Sequence, residues 1–293
     1  MHHAPETLPT TGQRALRAGL IGQGIQKSRT PAMHRAEGAA QGLALSYDLI
    51  DIDRMMPVPP LSQMLDTAEA QGFAGLNITY PFKKEVIGLL DELSENARKM
   101  GAVNTVVFRD GKRFGHNTDF WGFAEGLRRG LPGADLSEVL LLGAGGAGGA
   151  VAHALAGAGA GKILIADQNL RAAIALAKDI AAYGTRAEVV SDMAEAARRA
   201  KGIVNATPMG MAKLPGTAID PALLNPDHWV CDIVYFPLET ALLAAARMRG
   251  CRTLNGSGMA VFQAVRAFEL FTGLAADPAR MRATFESFTE TPA

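Results

Sequence analysis

Leu140-Leu141-Leu142-Gly143-Ala144-Gly145-Gly146-Ala147-Gly148 sets the reading of the whole chain. The leucines end a strand predicted over Val139 to Leu142. The glycines follow as G-x-G-x-x-G at the head of a helix predicted over Ala147 to Ala156. In that pattern Gly143 permits the tight turn, Gly145 lets the backbone approach a pyrophosphate, and Gly148 lets helix and strand pack closely. Ala144, Gly146 and Ala147 complete a turn whose amides, helped by the helix dipole, face an anion. The plainer alternative is a small-residue helix lying on a sheet. Asp167 favours a dinucleotide. It closes the next predicted strand, Ile163 to Ala166, 19 positions beyond Gly148, near the spacing of about 20 at which an acid meets a ribose. Its carboxylate would accept from the ribose hydroxyls and repel a 2′-phosphate, so NAD is expected over NADP. Arg171 could reach a phosphate or could be a solvated helix residue.

Outward from this turn the pattern alternates regularly. Helices are predicted over Leu170 to Ala182, Met193 to Ala200 and Thr240 to Arg249, with strands over Glu188 to Val190, Ile203 to Ala206 and Trp229 to Val234. Uninterrupted apolar strands between helices imply a parallel sheet covered on both faces, that is, a doubly wound Rossmann-type unit. The first third is a second α/β unit. Its strands are predicted over Arg17 to Ile21, Ser46 to Ile52, Gly72 to Thr79 and Val103 to Phe108, the last followed by a turn at Asp110 and Gly111. Its helices are predicted over Pro31 to Gln41, with Thr30 as N-cap, and over Leu61 to Ala70, with short ones over Lys84 to Leu90 and Glu95 to Met100. Asp119 to Arg129 reads as a linking helix. The tail has helical spacing over Met259 to Thr272 and Pro278 to Phe288. The expected division is a substrate domain over residues 1–118, completed by 256–293, and a dinucleotide domain over 119–255.

Bulk properties exclude other classes. Lys plus Arg and Asp plus Glu both number 29 among 293 residues, so no net charge draws the chain to nucleic acid or to an anionic membrane. A small anionic substrate must be held by local groups. No apolar run approaches the roughly 18 residues of a membrane-spanning helix. Cys231 and Cys251 lie in apolar stretches with neither C-x-x-C nor zinc spacing and read as buried thiols; a cytoplasmic setting is expected. Met1 to about Gln13 reads as a disordered lead. His34, His116, His153 and His228 lack ligand spacing, so no metal is expected.

Four polar clusters sit at predicted strand ends or turns: Ser28-Arg29-Thr30-Pro31, Asn77 through Lys84, Gly101 through Thr105, and Gly115 through Asp119. Each alone is ordinary turn and cap chemistry. Together they could surround a polyhydroxylated ring with hydroxyls, amides, one ammonium and one carboxylate. Taken with the Gly143 turn, Asn205-Ala206-Thr207-Pro208-Met209-Gly210-Met211, Asp232 through Tyr235 with Pro237, and Gly256 through Met259 to Gln263, they make the chain resemble the shikimate/quinate dehydrogenases from about Gly19 to Phe288.

The resemblance implies roles. Lys83 and Asp119 would be the catalytic pair, and Ser28 and Thr30 the carboxylate binders. Thr79, Asn104 and Gln263 would hold ring hydroxyls, with Asn77 and Tyr235 nearby. Asn205, Thr207, Pro208, Met209, Val234, Gly256 and Met259 would line the cofactor site. The C-terminal helices would return to the first domain, and donor and acceptor would meet in the cleft between the domains. An ordinary lysine is charged at neutral pH, so Lys83 is expected to hold and protonate the oxyanion while Asp119 orients it and hydrogen-bonds the substrate.

Departures from the family pattern narrow the choice. Thr30 stands where NADP-linked, shikimate-only members usually have serine, and Asp167-Gln168-Asn169 where they usually have Asn-Arg-Thr. Both resemble NAD-linked members that take quinate as well as shikimate. Lys27 replaces a frequent histidine and Asn255 a frequent aspartate. The expected activity is therefore NAD-dependent, reversible oxidation of quinate and shikimate at the C3 hydroxyl, by a monomer or homodimer. The alternatives are a biosynthetic NADP-linked shikimate dehydrogenase, an enzyme for an amino-substituted analogue, and a dinucleotide-sensing regulator without turnover. Intact Lys83 and Asp119 weigh against the last.

Overall fold

A computed structural model of the chain describes residues 15–288; the disordered lead expected up to about Gln13 lies outside them. In chain order the first elements are β1 (Ala15–Gly22), α1 (Thr30–Ala40), β2 (Ala44–Asp51), α2 (Leu61–Ala70), β3 (Phe73–Ile78), β4 (Glu92–Leu93), α3 (Glu95–Met100), β5 (Thr105–Arg109), β6 (Lys112–His116) and α4 (Thr118–Gly130). There follow β7 (Val139–Leu142), α5 (Gly146–Gly157), β8 (Lys162–Ala166), α6 (Leu170–Ala182), β9 (Arg186–Val189), α7 (Met193–Arg199), β10 (Gly202–Asn205), β11 (Trp229–Asp232), α8 (Ala241–Met248), β12 (Arg252–Leu254), α9 (Ser257–Thr272) and α10 (Pro278–Glu286). By their contacts, residues 15–94, 103–116 and 267–288 form one compact unit, and 95–102 with 117–266 form another. The breaks at 116/117 and 266/267 differ from the expected 118/119 and 255/256. Gly122 gives the reason for the second. A Cβ there would lie 2.7 Å from both Gln263 N and Met259 O, so the first half of α9 packs on α4 within the second unit.

The second unit has a six-stranded sheet in the order β12-β11-β10-β7-β8-β9, parallel throughout. The leucine run explains its double cover. Side chains alternate across a strand. Val139 and Leu141 join Val151, Leu155, Ile163, Ile165 and Trp229 on one face. Leu140 and Leu142 join Leu164, Ala196, Ile203, Val230 and Leu242 on the other. Strand order reverses between β7 and β10, and in such sheets ligands bind outside the carboxyl ends of the strands at that switch point.

The sheet of the first unit is mixed, in the order β2-β1-β3-β5-β6-β4. β1 runs parallel to β2 and β3, whereas β5 is antiparallel to β3 and β6. Asp110 (φ 53°) and Gly111 (φ 71°) make the two-residue β5–β6 turn, as positive φ at both positions favours. α10 is pinned to α1. Glu37, fully buried, accepts from Arg280 Nη1 at 2.8 Å and from Asp277 N at 2.9 Å, and Arg29 donates to Phe285 O at 3.0 Å.

Three local expectations are corrected. Thr30 is the first residue of α1, not its cap; the cap position falls on Arg29, whose side chain makes no capping bond, and Ser28 Oγ instead accepts from Thr30 N at 3.3 Å. Lys84 to Leu90 narrows to a 3-10 turn, Glu85–Leu89. β4, β6 and β12 are strands not foreseen, because they are short and largely polar.

Candidate active site

Within the second unit the glycine turn has the shape its sequence requires. Gly143 has φ 102°, and a Cβ there would lie 2.9 Å from Ala206 C and O. A Cβ on Gly148 would lie 2.1 Å from Gly143 O. On Gly145 and Gly146 it would meet nothing within 4 Å. Gly143 and Gly148 are thus demanded by the protein's own packing, while Gly145 and Gly146 leave room along the turn. Gly145 caps α5 without any side-chain acceptor, so the first-turn amides are available to an anion. These residues fit a dinucleotide pyrophosphate.

Asp167 follows β8 and turns its carboxylate to this loop. Oδ2 accepts from Ala144 N at 2.6 Å and Oδ1 from Asn169 N at 2.7 Å. An ionised carboxylate offers about four acceptor positions, so capacity remains for ribose hydroxyls. Arg171 lies exposed on the first turn of α6. Across the switch point, β10 ends in Asn205, which is fully buried. Its side chain serves the Thr207–Met209 turn. Oδ1 accepts from Thr207 N (3.0 Å) and Thr207 Oγ1 (2.6 Å), and Nδ2 donates to Met209 O (2.9 Å). Thr207 and Met209 are half-buried and Pro208 is exposed. A Cβ on Gly256 would lie 2.2 Å from Ile233 O and 2.6 Å from Val234 O, which brings the start of α9 onto the chain beyond β11. Asn255 starts that helix by accepting from Ser257 N (3.1 Å) and Oγ (2.6 Å), a task an aspartate would do equally well. Asp119 is half-buried in the first turn of α4, which Asn117 caps by accepting from Phe120 N at 3.2 Å. Gln263 and Met259 are half-buried on α9, and Tyr235 is 46% exposed.

The remaining expected residues, Ser28, Thr30, Asn77, Thr79, Lys83 and Asn104, belong to the first unit. Lys83 is half-buried where its neighbour Lys84 is exposed, and its carbonyl accepts from Val103 N at 2.8 Å. Asn104 is 4% exposed, and its backbone is fixed by His116 O and Ile78 N. Asn77, also 4% exposed, is spent internally: Oδ1 accepts from Tyr47 Oη at 2.6 Å, and Nδ2 donates to Thr105 Oγ1 at 3.0 Å. Thr105 Oγ1 then donates to Asn104 Oδ1 at 3.1 Å. Asn77 thus orients Asn104. Tyr47 was not singled out from the sequence; its signal was a tyrosine between Ser46 and Asp48 in a strand, at the inward position. Asp51 was also missed. It accepts from Gly24 N (3.0 Å), Gln26 Nε2 (2.8 Å) and Asp53 N (3.2 Å), shaping the loop that delivers Ser28. Burial works against its charge, but these donors together with Ile25 N hold its carboxyl below the usual value.

Among the described residues no group of three or more His, Cys, Asp or Glu is placed to hold a metal ion, and no helix is long and apolar enough to cross a membrane. Both cysteines are buried and free. His153 Nδ1 lies 2.9 Å from Gly149 O and His228 Nε2 3.0 Å from Ala197 O.

A glycine turn at a switch point, an acid closing the following strand and a companion mixed-sheet unit define the class: an α/β protein with a Rossmann-type dinucleotide unit. Comparison with known proteins takes this further. Residues 20–106 match the shikimate dehydrogenase substrate binding domain, 128–222 the shikimate/quinate 5-dehydrogenase family, and 256–284 the shikimate 5′-dehydrogenase C-terminal domain. The quinate/shikimate dehydrogenase (NAD(+)) of Corynebacterium efficiens is 54% identical over 279 residues, 92% of this chain and 97% of that one. The shikimate dehydrogenase (NADP(+)) of Streptomyces avermitilis is 50% identical over 280 residues, 94% and 96% of the two chains. Quinate dehydrogenase from Corynebacterium glutamicum, solved in complex with NAD, matches with a TM-score of 0.92 at 51% identity, covering 94% of this chain and all of that one. The chain belongs to the shikimate/quinate dehydrogenase family.

Proposed function

We infer that this chain is an NAD-dependent quinate/shikimate dehydrogenase that oxidises the C3 hydroxyl of either substrate, reversibly, to 3-dehydroquinate or 3-dehydroshikimate. Asp167 carries the cofactor choice. A carboxylate held against the glycine turn by Ala144 N accepts from ribose hydroxyls and repels a 2′-phosphate. Relatives named for NAD(+) at 52–54% identity support the same choice.

When bound, NAD supplies the hydride acceptor. The residues that would hold it are Gly143 through Gly148 at the pyrophosphate, Asp167 at the ribose, and Asn205, Thr207, Pro208, Met209, Val234, Gly256 and Met259 around the remainder, with Arg171 an outer contact. The chain's own residues handle the substrate and its proton. Ser28 and Thr30 bind the carboxylate with hydroxyls and the first amides of α1. Thr79, Asn104, Gln263 and Tyr235 take ring hydroxyls, and Asn77 holds Asn104 in place. Lys83 as the free amine takes the hydroxyl proton in oxidation and as the ammonium returns it in reduction, and Asp119 orients both lysine and substrate. A cytoplasmic setting, supported by two free thiols, and a monomeric or homodimeric state belong to the same proposal.

The test is a steady-state comparison of quinate and shikimate, each with NAD and with NADP. Turnover of both substrates with NAD is expected, with at least tenfold lower kcat/KM for NADP, as about 1.4 kcal/mol of repulsion would produce. A preference for NADP would overturn the cofactor assignment, and activity on shikimate alone would remove quinate.

A further inference from the structure

We propose that Asp232, which touches no ligand in this scheme, is a positioning residue that sets NAD affinity by fixing the Thr207–Met209 turn and the Val234 backbone from beneath. The inference rests on reading the second unit as the NAD site.

Asp232 closes β11 and is fully buried, as is Asn205 on the neighbouring strand β10. Its Oδ1 accepts from Asn205 Nδ2 at 2.9 Å and from Val234 N at 3.0 Å, and its Oδ2 from Thr240 Oγ1 at 2.7 Å. The direction of each bond is fixed by chemistry. Thr240 Oγ1 accepts from Leu243 N at 3.3 Å as the cap of α8, so its proton is free to point at Asp232. Asn205 spends its two amide hydrogens on Asp232 Oδ1 and Met209 O, which turns its own carbonyl oxygen to Thr207. All three partners of Asp232 are donors, the set that suits an ionised carboxylate, which has no proton to give. Burial pushes the Asp232 carboxyl above its ordinary range, and the donors from Thr240, Val234 and Asn205 act against that rise.

The consequence lies in the Asn205 amide. An asparagine side chain is nearly symmetric in shape, and only its partners decide which end faces where. A carboxylate at 232 accepts only, so it admits the NH2 end alone and forces the oxygen toward Thr207 N and Oγ1. An amide at 232 presents both kinds of atom, and the orientation of Asn205 ceases to be determined. The NH2 of that amide would lie against either Val234 N or Thr240 Oγ1, each of which has a pure acceptor at that point in the parent. The Thr207–Met209 turn then loses the acceptor that closes it, while the first unit is untouched.

The test uses the full chain and the variants D232N, T240V and T240S. The dissociation constant of NAD is measured directly by calorimetry, alongside KM for NAD, KM for quinate and the melting temperature. D232N is expected to raise both the NAD dissociation constant and KM for NAD about tenfold, the scale of one hydrogen bond to a buried charge, with KM for quinate within twofold of the parent. T240V, which removes the Oδ2 donor together with the cap acceptor of α8, should raise NAD values about threefold, and T240S, which keeps both, should restore them. A merely structural role would lower the melting temperature and leave the NAD dissociation constant of the folded protein unchanged. The proposal is overturned if D232N binds NAD within twofold of the parent, or if KM for NAD and quinate rise together. Should D232N not fold, T240V and T240S decide, and equal NAD affinity in the two overturns it. A parent that binds no NAD would overturn both this inference and the reading beneath it.

Discussion

The Tyr47 hydroxyl donates to Asn77 Oδ1 at 2.6 Å, and through Asn77 and Thr105 it orients Asn104, a side chain two bonded partners away. Tyr47, Thr105 and both asparagines are all buried, and burial holds the tyrosine phenol well above its ordinary value, so the hydroxyl stays a donor. Removing it with Tyr47→Phe would strand a buried acceptor, at about 1–3 kcal/mol. The melting temperature should fall, and KM for quinate and shikimate should rise about three- to tenfold while KM for NAD stays put. Steady-state kinetics and a thermal melt check this; unchanged substrate KM would break the relay.

The two kinds of glycine in the phosphate turn should separate stability from binding. Gly148→Ala puts a methyl group 2.1 Å from Gly143 O, and overpacking of this kind costs about 1–3 kcal/mol. Gly145→Ala meets nothing within 4 Å and should leave the melting temperature within a degree or two, yet weaken NAD binding at least tenfold. If both variants lose stability alike and Gly145→Ala binds NAD normally, the turn does not hold a pyrophosphate.

Asp167→Asn removes the charge while keeping an acceptor for Ala144 N. One hydrogen bond to a charged group is worth about 1.5–3 kcal/mol, so kcat/KM with NAD should fall roughly ten- to a hundredfold, and the ratio of NADP to NAD activity should rise. A variant with an unaltered ratio would show that Asp167 only braces the loop.

His34 should make the protein acid-sensitive. Its ring packs on Tyr47, Phe268 and Phe271, neither nitrogen has a hydrogen-bond partner, and burial pushes its pKa from 6.5 down to about 3. Above about pH 6.5 the histidine is neutral in both folded and unfolded chains and costs nothing. Between there and about pH 3 only the unfolded chain binds the proton, so stability falls as pH falls, by about 2 kcal/mol at pH 5. Urea denaturation at pH 7 and pH 5 should show that much less loss in His34→Leu than in the parent. Equal losses would show that His34 takes up its proton while folded.

Much of this is legible in the amino-acid sequence alone. Leu140 to Gly148 specified a strand buried on both faces and a turn in which Gly143 and Gly148 have no room for side chains, because apolar runs and G-x-G-x-x-G are local, short-range signals. β6 and β12 were hidden because both are short and largely polar, with no apolar alternation of their own. Thr30 looked like an N-cap because hydroxyl residues before a helix usually are; Ser28 supplies the local bond instead. Asp232 and Tyr47 were unreadable as positioning groups for a common reason. Each acts through partners about 30 residues away, and no spacing rule encodes a buried hydrogen bond between strands of one sheet.

The central claim, that Lys83 moves the substrate proton, is tested most directly by kcat of Lys83→Ala with quinate at saturating NAD, with NAD binding measured on the same preparation. General acid–base groups contribute about 10²- to 10⁴-fold. The account predicts a fall in kcat within that range and an NAD dissociation constant within twofold of the parent; a Lys83→Ala enzyme that turns over within threefold of the parent would contradict it.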